Sequence, residues 1–476
     1  MEHKICLVNS RLEGTYPPLG LGYLASYLEK YGRYKYEIKV VDGNYDQDIF
    51  NTIKKFNPKV IGFTGLSPQI RDVVSLSQRL RLALPESYQI LGGIHATSEP
   101  EKSLRKAGLD YAVLGEGEET FQELADYLIS KDRAQDGINK IPGIAYLKDD
   151  RFYFTGWRPE IGDLDRLPFP NRRILNMNYY LSQYLLIRGL IGNRITTVHA
   201  SRGCPFDCSF CSSRIVFKKV RYFSCEYVID ELKELISKFK VRAVFFTDDT
   251  FILDKKRVWD LCESLIKSGL NKRLKWEVQG RANLLNWNDL GLLRLMKKAG
   301  CVQIDYGFEV GDDKVLRFLK KENVSVELNR RAIEITKKAG LRVLGTFMLA
   351  VPGENDAQME KTRRFIKENF KDIDFFQVFI ATPYPGSELY RICLEQGTVK
   401  EDYIEQIEKE EREDKIQIYS NSVTPKKVIE ILSSLDKLML KKISFFNKAG
   451  WLFYNLAHFP KDTVRRLLKF LLKNKT

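Results

Sequence analysis

Ile195-Thr196-Thr197-Val198-His199-Ala200-Ser201-Arg202-Gly203-Cys204-Pro205-Phe206-Asp207-Cys208-Ser209-Phe210-Cys211 begins as a β-branched strand pattern and runs directly into three cysteines. Their spacing is C-x3-C-x2-C. Iron–sulfur cubanes are held by Cys thiolates, so three thiolates on one short loop can take three corners of a cluster. No fourth cysteine stands nearby, which leaves one iron open to another ligand. An open coordination position marks a reactive site, as it does in catalytic zinc centres. Three scattered structural thiols are the plain alternative. The tight spacing, with Gly203 and Pro205 alongside, argues for a loop built around something.

Downstream of this loop, strand and helix patterns alternate. Strands are expected at Thr196–Ala200, Ala243–Thr247, Lys275–Gln279, Val302–Tyr306, Leu344–Leu349 and Phe375–Ile380. Helical patterns lie between them, near Tyr227–Phe239, Lys256–Lys267, Leu290–Ala299, Glu327–Ala339 and Gln358–Phe370. Six such units predict a partial (β/α)6 barrel. Function in barrels of this kind sits at the carboxyl ends of the strands. The cysteine loop directly follows the first strand.

Upstream, a second alternating series covers the N-terminus. Lys4–Asn9, Tyr36–Val41, Val60–Thr64, Gln89–Leu91 and Tyr111–Leu114 read as strands with helices between. That predicts a doubly wound (Rossmann-like) α/β domain, whose ligands bind at the carboxyl ends of the strands. A hairpin over Gly143–Phe154, turning at Asp149-Asp150, and a Pro-rich passage at Leu167-Pro168-Phe169-Pro170 read as a linker. The expected divisions are 1–135, 136–190, 191–395 and a helical C-terminal region at 396–476.

Of 8 cysteines, the five outside the triad (Cys6, Cys225, Cys262, Cys301, Cys393) form no C-x-x-C pair. That is no disulfide framework, and it fits a reducing compartment. The N-terminus lacks signal-peptide architecture, and no uncharged run approaches the ~20 residues of a spanning helix. The expected place is the cytoplasm, or at most a membrane surface. The formal charge of +15 is concentrated late: Val423–Thr476 carries 12 Lys/Arg against 3 Asp/Glu. Within it Val464, Leu467, Leu468 and Leu471 recur at helical spacing, with Arg465, Arg466, Lys469 and Lys473 elsewhere. That pattern fits a helix lying in a membrane interface, or equally a terminal helix capping the barrel. A lone basic helix is thin support for nucleic acid.

The triad, with Phe210 before the last cysteine, resembles the signature of the radical S-adenosylmethionine (SAM) superfamily. Phe246-Thr247-Asp248-Asp249-Thr250-Phe251 resembles the family segment that holds the SAM amino group. Glu277-Val278-Gln279-Gly280-Arg281-Ala282 resembles the segment that reaches its carboxylate and ribose. Gly307-Phe308-Glu309-Val310-Gly311, Gly345-Thr346-Phe347-Met348 and Val351-Pro352-Gly353-Glu354 resemble the following strand-end segments. The resemblance covers roughly 195–395. It implies a [4Fe-4S] cluster on Cys204, Cys208 and Cys211, and SAM held by Phe210, Asp248, Asp249, Gln279, Arg281, Glu309 and Gly311. It also implies an external electron donor such as flavodoxin or ferredoxin.

The N-terminal half resembles the cobalamin-binding domain that precedes the barrel in one branch of that superfamily. The matching residues are Pro17-Pro18-Leu19-Gly20-Leu21-Gly22-Tyr23-Leu24, Gly62-Phe63-Thr64-Gly65-Leu66-Ser67, Gly92-Gly93-Ile94-His95-Ala96-Thr97 and Gly115-Glu116-Gly117-Glu118. The resemblance implies cobalamin held by Thr64, Ser67, Gly92, Gly93, His95, Ala96, Thr97, Gly115, Glu116 and Gly117. The loop after the first strand, Asn9-Ser10-Arg11-Leu12-Glu13-Gly14-Thr15-Tyr16, lacks the histidine of the D-x-H-x-x-G type. It therefore resembles the base-off type without a histidine ligand, with Arg11 and Tyr16 as candidates for the space beneath cobalt. His95 reads as a loop hydrogen-bonder and His199 as a satisfied core residue.

The function implied is cleavage of SAM to a 5′-deoxyadenosyl radical, and C-methylation of an unactivated carbon on a hydrophobic small molecule or lipid. Radical cyclisation or oxidation without methyl transfer is the alternative among enzymes. A cobalamin-binding sensor with a degenerate barrel is the alternative of another class, and the intact triad, Asp pair and Glu309 argue against it. The tRNA methylthiotransferases carry a second cysteine triad near the N-terminus, where this chain has only Cys6.

Overall fold

A computed structural model of the protein describes residues 2–11, 16–130, 137–182, 194–321, 323–407 and 416–442. Leu12-Glu13-Gly14-Thr15 and the basic amphipathic pattern of 461–473 lie outside the described residues.

The N-terminal sheet contains β1 (His3–Asn9), β2 (Tyr36–Asp42), β3 (Val60–Thr64), β4 (Tyr88–Gly92), β5 (Tyr111–Val113), β6 (Ile144–Lys148) and β7 (Arg151–Phe154). Its order is β2-β1-β3-β4-β5-β6-β7. The first five strands run parallel. Ile5, Cys6, Leu7 and Val8 are all fully buried. Such a continuous apolar run is what a strand covered on both faces requires.

The expected hairpin forms as β6 and β7, and its turn places both Asp149 and Asp150 at positive φ (48° and 60°). That is the backbone a two-residue hairpin turn needs. β6 pairs antiparallel with β5. The hairpin thus extends the sheet and covers what would otherwise be an open edge.

The second sheet is interrupted after its first strand by a short two-stranded ribbon. β8 (Ile195–Val198) leads to β9 (Ser201–Arg202), which pairs with β10 (Arg221–Tyr222) across the cysteine loop. β11 (Ala243–Phe246), β12 (Lys275–Gly280), β13 (Cys301–Glu309), β14 (Arg342–Leu349) and β15 (Phe375–Ile380) complete it. The order β15-β14-β13-β12-β11-β8 is sequential and all parallel. This is the partial barrel expected. Val244, Phe246, Trp276, Val278, Ile304 and Tyr306 alternate towards the helices and are buried there.

The chain past the barrel returns to the N-terminal domain. Tyr390, Cys393, Val399, Tyr403, Ile404 and Tyr419 share one buried cluster with Val8, Ile61, Phe63, Leu91 and Leu104. Lys106 Nζ pairs with Asp402 at 2.8 Å along the same seam. The helix Pro425–Lys442 then packs near β15 and the helix Asp356–Glu368. Among the described residues no helix is long and apolar enough to cross a membrane.

Candidate active site

The cysteine loop leaves β9 at Gly203, which has φ +88° and lies so close to Lys219 that an added Cβ would meet its carbonyl oxygen at 2.4 Å. Only glycine suits both conditions. Cys211 N donates to the Cys208 carbonyl at 3.0 Å, and Ser209 N donates to the Leu319 carbonyl at 2.8 Å, which anchors the loop to the barrel. Thr250 Oγ1 lies 3.4 Å from Cys204 Sγ, and Ser213 N donates to Cys211 Sγ at 3.4 Å. Burial pushes the Cys204 thiol up and the Cys211 thiol up to about 11.

No three described His, Cys, Asp or Glu side chains converge on a single-ion site. A cubane suits the triad better than one ion does, because each thiolate takes a different iron and the three need not converge on one point. The donor set, three thiols on one loop with N–H and O–H groups aimed at sulfur, therefore fits a cluster.

Asp248 and Asp249 divide their work. Asp248 is buried; its carboxylate accepts from Ala200 N at 3.1 Å and from the Ser201 hydroxyl. Burial pushes its carboxyl up to about 6 against those hydrogen bonds. It ties the entry of the cysteine loop to β11. Asp249 accepts from Ser213 Oγ at 2.5 Å and faces the large cavity described below.

Glu309 ends β13 in the left-handed region at φ +62°. A side-chain-bearing residue held there costs on the order of 1–3 kcal/mol, and such strain clusters at functional sites. It is fixed by Lys320, whose Nζ lies 3.2 Å from Glu309 Oε1 and donates to the Gly307 carbonyl at 2.5 Å. Gln279 lies at the carboxyl end of β12, level with Asp305 of β13. Gly311 has a packing role: its N–H donates to Thr362 Oγ1 at 2.8 Å, and an added Cβ would stand 2.5 Å from the Lys361 carbonyl oxygen. Arg281 is committed to protein partners, Asn283, Cys208 and Lys320.

A cavity of about 850 Å³ opens between the carboxyl ends of the two sheets. Thr64, Ser67, Gly92, Gly93, Gly115, Glu116 and Gly117 line it from the first domain. Phe210, Cys211, Ser213, Thr247 and Asp249 line it from the barrel. Leu21, Leu24, Gly62, Ile90, Val113 and Phe121 form an apolar recess of the same cavity beside the first sheet. A groove of this breadth, with glycines on its rim and an apolar recess, fits a bulky cofactor with a tail such as cobalamin.

Three of the expected contacts stand behind the rim. His95 is buried, shares a hydrogen bond with Ser67 Oγ at 3.0 Å, and is pushed down to about 4 by burial. Thr97 Oγ1 donates to the Gly93 carbonyl at 2.9 Å and accepts from Gly115 N at 3.1 Å, tying two glycine loops together. Ala96 is fully buried. Arg11 is exposed, and the Tyr16 ring packs 6.0 Å from Phe245; neither lines the cavity.

The first sheet is tied to the cysteine loop by ion pairs that sequence reading missed. Arg202 reaches Glu116 at 2.8 Å and Glu118 at 2.6 Å, while Arg221 reaches Glu116 at 2.6 Å. All four side chains are at most 9% exposed. Burial alone would raise the Glu116 carboxyl, but Arg221 and Arg202 outweigh it and hold it below the usual carboxylate range. His199, also on the cavity wall, shares a hydrogen bond with Thr247 Oγ1 at 3.0 Å. Burial, with Arg202 and Arg172 nearby, pushes it down to about 3, so it is a neutral ring.

Comparison with known proteins agrees with this architecture. The Radical SAM superfamily profile matches residues 198–366, and the B12 binding domain profile matches residues 5–125. An uncharacterized methyltransferase, PH0819, of Pyrococcus horikoshii is 34% identical over 80% of this chain and 79% of its own length. The cytidylyl-2-hydroxyethylphosphonate methyltransferase of Streptomyces wedmorensis is 30% identical over 81% of this chain and 79% of that protein. An anaerobic magnesium-protoporphyrin IX monomethyl ester cyclase of Cereibacter sphaeroides is 27% identical, covering 82% and 62%. In fold, the solved radical SAM methyltransferase TsrM of Kitasatospora setae superposes with a TM-score of 0.64 at 18% identity, over 83% of this chain and 75% of that one. The chain thus belongs to the radical SAM superfamily, in the branch that carries a B12-binding domain ahead of the barrel.

Proposed function

We propose that this radical SAM enzyme C-methylates an unactivated carbon of a hydrophobic substrate. The carrying observation is the shared cavity: the Cys211 end of the cysteine loop and the glycine rim of the first domain open onto one space. Bound there, the [4Fe-4S] cluster, SAM and cobalamin supply a 5′-deoxyadenosyl radical and a methyl donor. The chain's own residues position and enclose these groups, as proteins do for cofactors that carry hard chemistry. Asp249, Gln279 and Glu309 offer acceptors for SAM around the triad, and Phe210 walls it. Thr64, Ser67, Gly92, Gly93, Gly115 and Gly117 admit cobalamin, with His95, Ala96 and Thr97 bracing those loops.

The substrate reading rests on the lining. Leu66, Pro68, Ile94, Val216, Phe217 and Tyr384 line the same cavity. Its one arginine, Arg202, pairs with Glu116 and Glu118, so that guanidinium is already engaged and a buried phosphate would have to compete for it. An uncharged substrate body suits such a wall, since an unpaired charge is costly to bury.

The test is product analysis under anaerobic reduction. Methyl transfer yields both S-adenosylhomocysteine and 5′-deoxyadenosine, and a Cys204→Ala variant yields no 5′-deoxyadenosine and no methylated product. Formation of 5′-deoxyadenosine alone, with an unmethylated product, would replace this reading by the cyclase type that the Cereibacter relative represents.

A further inference from the structure

Arg281 begins the loop after β12 beside the cysteine triad, and the residue is only 6% exposed. All three of its nitrogens are used. Nε donates to Asn283 Oδ1 at 2.9 Å, Nη2 to the Lys320 carbonyl at 2.9 Å, and Nη1 to Cys208 Sγ at 3.0 Å. Its face stacks on the Phe206 ring, 3.9 Å from the centroid, inside the cysteine loop. No ion pair with a carboxylate is found for it among the described residues. A buried charge of this kind needs a counter-charge, and the one acceptor of suitable chemistry in its fork is the Cys208 sulfur. Like Gln279 and Glu309, Arg281 lies off the lining of the shared cavity; what sets it apart is that every nitrogen is already engaged.

We propose that Arg281 is a positioning and tuning residue for the cluster: it pairs with the Cys208 thiolate and raises the cluster's reduction potential. The proposal rests on the cluster reading of the triad and departs from the expectation that Arg281 holds SAM. Hydrogen bonds to the sulfurs and local charge are known levers on cluster potentials. The sign follows from charge. One electron passes from a low-potential one-electron donor to the cluster, which becomes more negative by one unit while the donor is oxidised by one. A fixed guanidinium at the ligand sulfur stabilises that reduced state. The fork geometry matters too, because a planar, always-charged group can bridge Asn283, Lys320 and Cys208 at once.

The experiment is dye-mediated potentiometry of the anaerobically reconstituted full-length protein, followed by electron paramagnetic resonance. SAM binding is measured in parallel. Arg281→Gln is expected to shift the reduction equilibrium at least tenfold towards the oxidised cluster, about 59 mV more negative for one electron. SAM affinity should change less than twofold. An unchanged potential with SAM affinity lowered tenfold or more overturns the proposal and returns Arg281 to the SAM site. If Arg281→Gln fails to hold a cluster, Arg281→Lys decides: a loaded cluster supports pairing by charge, and loss in both overturns it. Absence of a cluster in the unmodified protein would instead refute the cluster reading itself.

Discussion

Glu116 accepts from two guanidiniums at once, and it does so from a loop that sequence resemblance assigns to a cofactor. Both readings share a location, since Glu116 also lines the cavity, but its oxygens are spoken for. Removing one member of a buried ion pair strands the other charge and costs about 3–5 kcal/mol. Glu116→Gln is therefore expected to lower unfolding stability by about 3 kcal/mol in urea titration; a loss under about 1 kcal/mol would mean the two arginines find water instead. The same residue shows what sequence could not supply. The triad is local, within eight residues, so its spacing alone betrays it. Glu116 meets Arg202 and Arg221 across 86 and 105 positions, and nothing in either segment marks the other. Phe206 was missed for the same reason, since it meets Arg281 across 75 positions, whereas Lys320 lies close to Glu309 in sequence but on a short helix.

At the scale of elements, the strands of both sheets were legible because each is bounded by a turn and carries a period the side chains must obey. β15, at Phe375–Ile380, falls where the pattern put it, and the helix Cys225–Phe239 begins only two residues early. The helix Asp313–Lys320 was not anticipated. It is short, and it is fixed by Asp312, which caps Lys314 and Val315 at its start. Gly311 marks the limit of motif reading most sharply. Its place in a cofactor-like segment suggested a ligand contact, whereas its neighbour is the backbone of the helix Asp356–Glu368. Gly311→Ala should cost about 1–3 kcal/mol, as overpacking does, and lower the melting temperature while SAM affinity of the folded fraction holds. Lost SAM affinity at unchanged melting temperature would move this glycine back to the cofactor.

For the molecule as a whole, pH adds a measurable handle. Glu354, in the loop after β14, is fully buried, and burial pushes its carboxyl up to about 8 although backbone N–H groups oppose the shift. A group with a raised folded pKa stabilises fully below its unfolded value and loses that contribution as pH climbs to the folded value. Between pH 6.5 and 8 the protein should thus lose about 2 kcal/mol, at up to 1.4 kcal/mol per pH unit. Glu354→Gln should flatten that slope; an unaltered slope in denaturant titrations would assign it elsewhere. His95 and His199, both lowered by burial, act with the opposite sign and only below about pH 6.5, where protons favour the unfolded chain. The cavity itself belongs to this scale. Neither half of the sequence announces it, because each contributes one wall.

The return of the chain after the barrel carries a consequence for synthesis. Val8, Ile61, Leu91 and Leu104 share their buried cluster with Tyr390, Val399, Tyr403 and Ile404. On the ribosome, the stretch between Ala145 and Tyr390 takes roughly 12–50 s at about 5–20 residues per second. Throughout that interval the nascent first domain presents an uncovered apolar face. Its last wall, from Tyr390 to Tyr419, arrives only after all six barrel strands have been made, and just ahead of the helix Pro425–Lys442 that packs on the barrel.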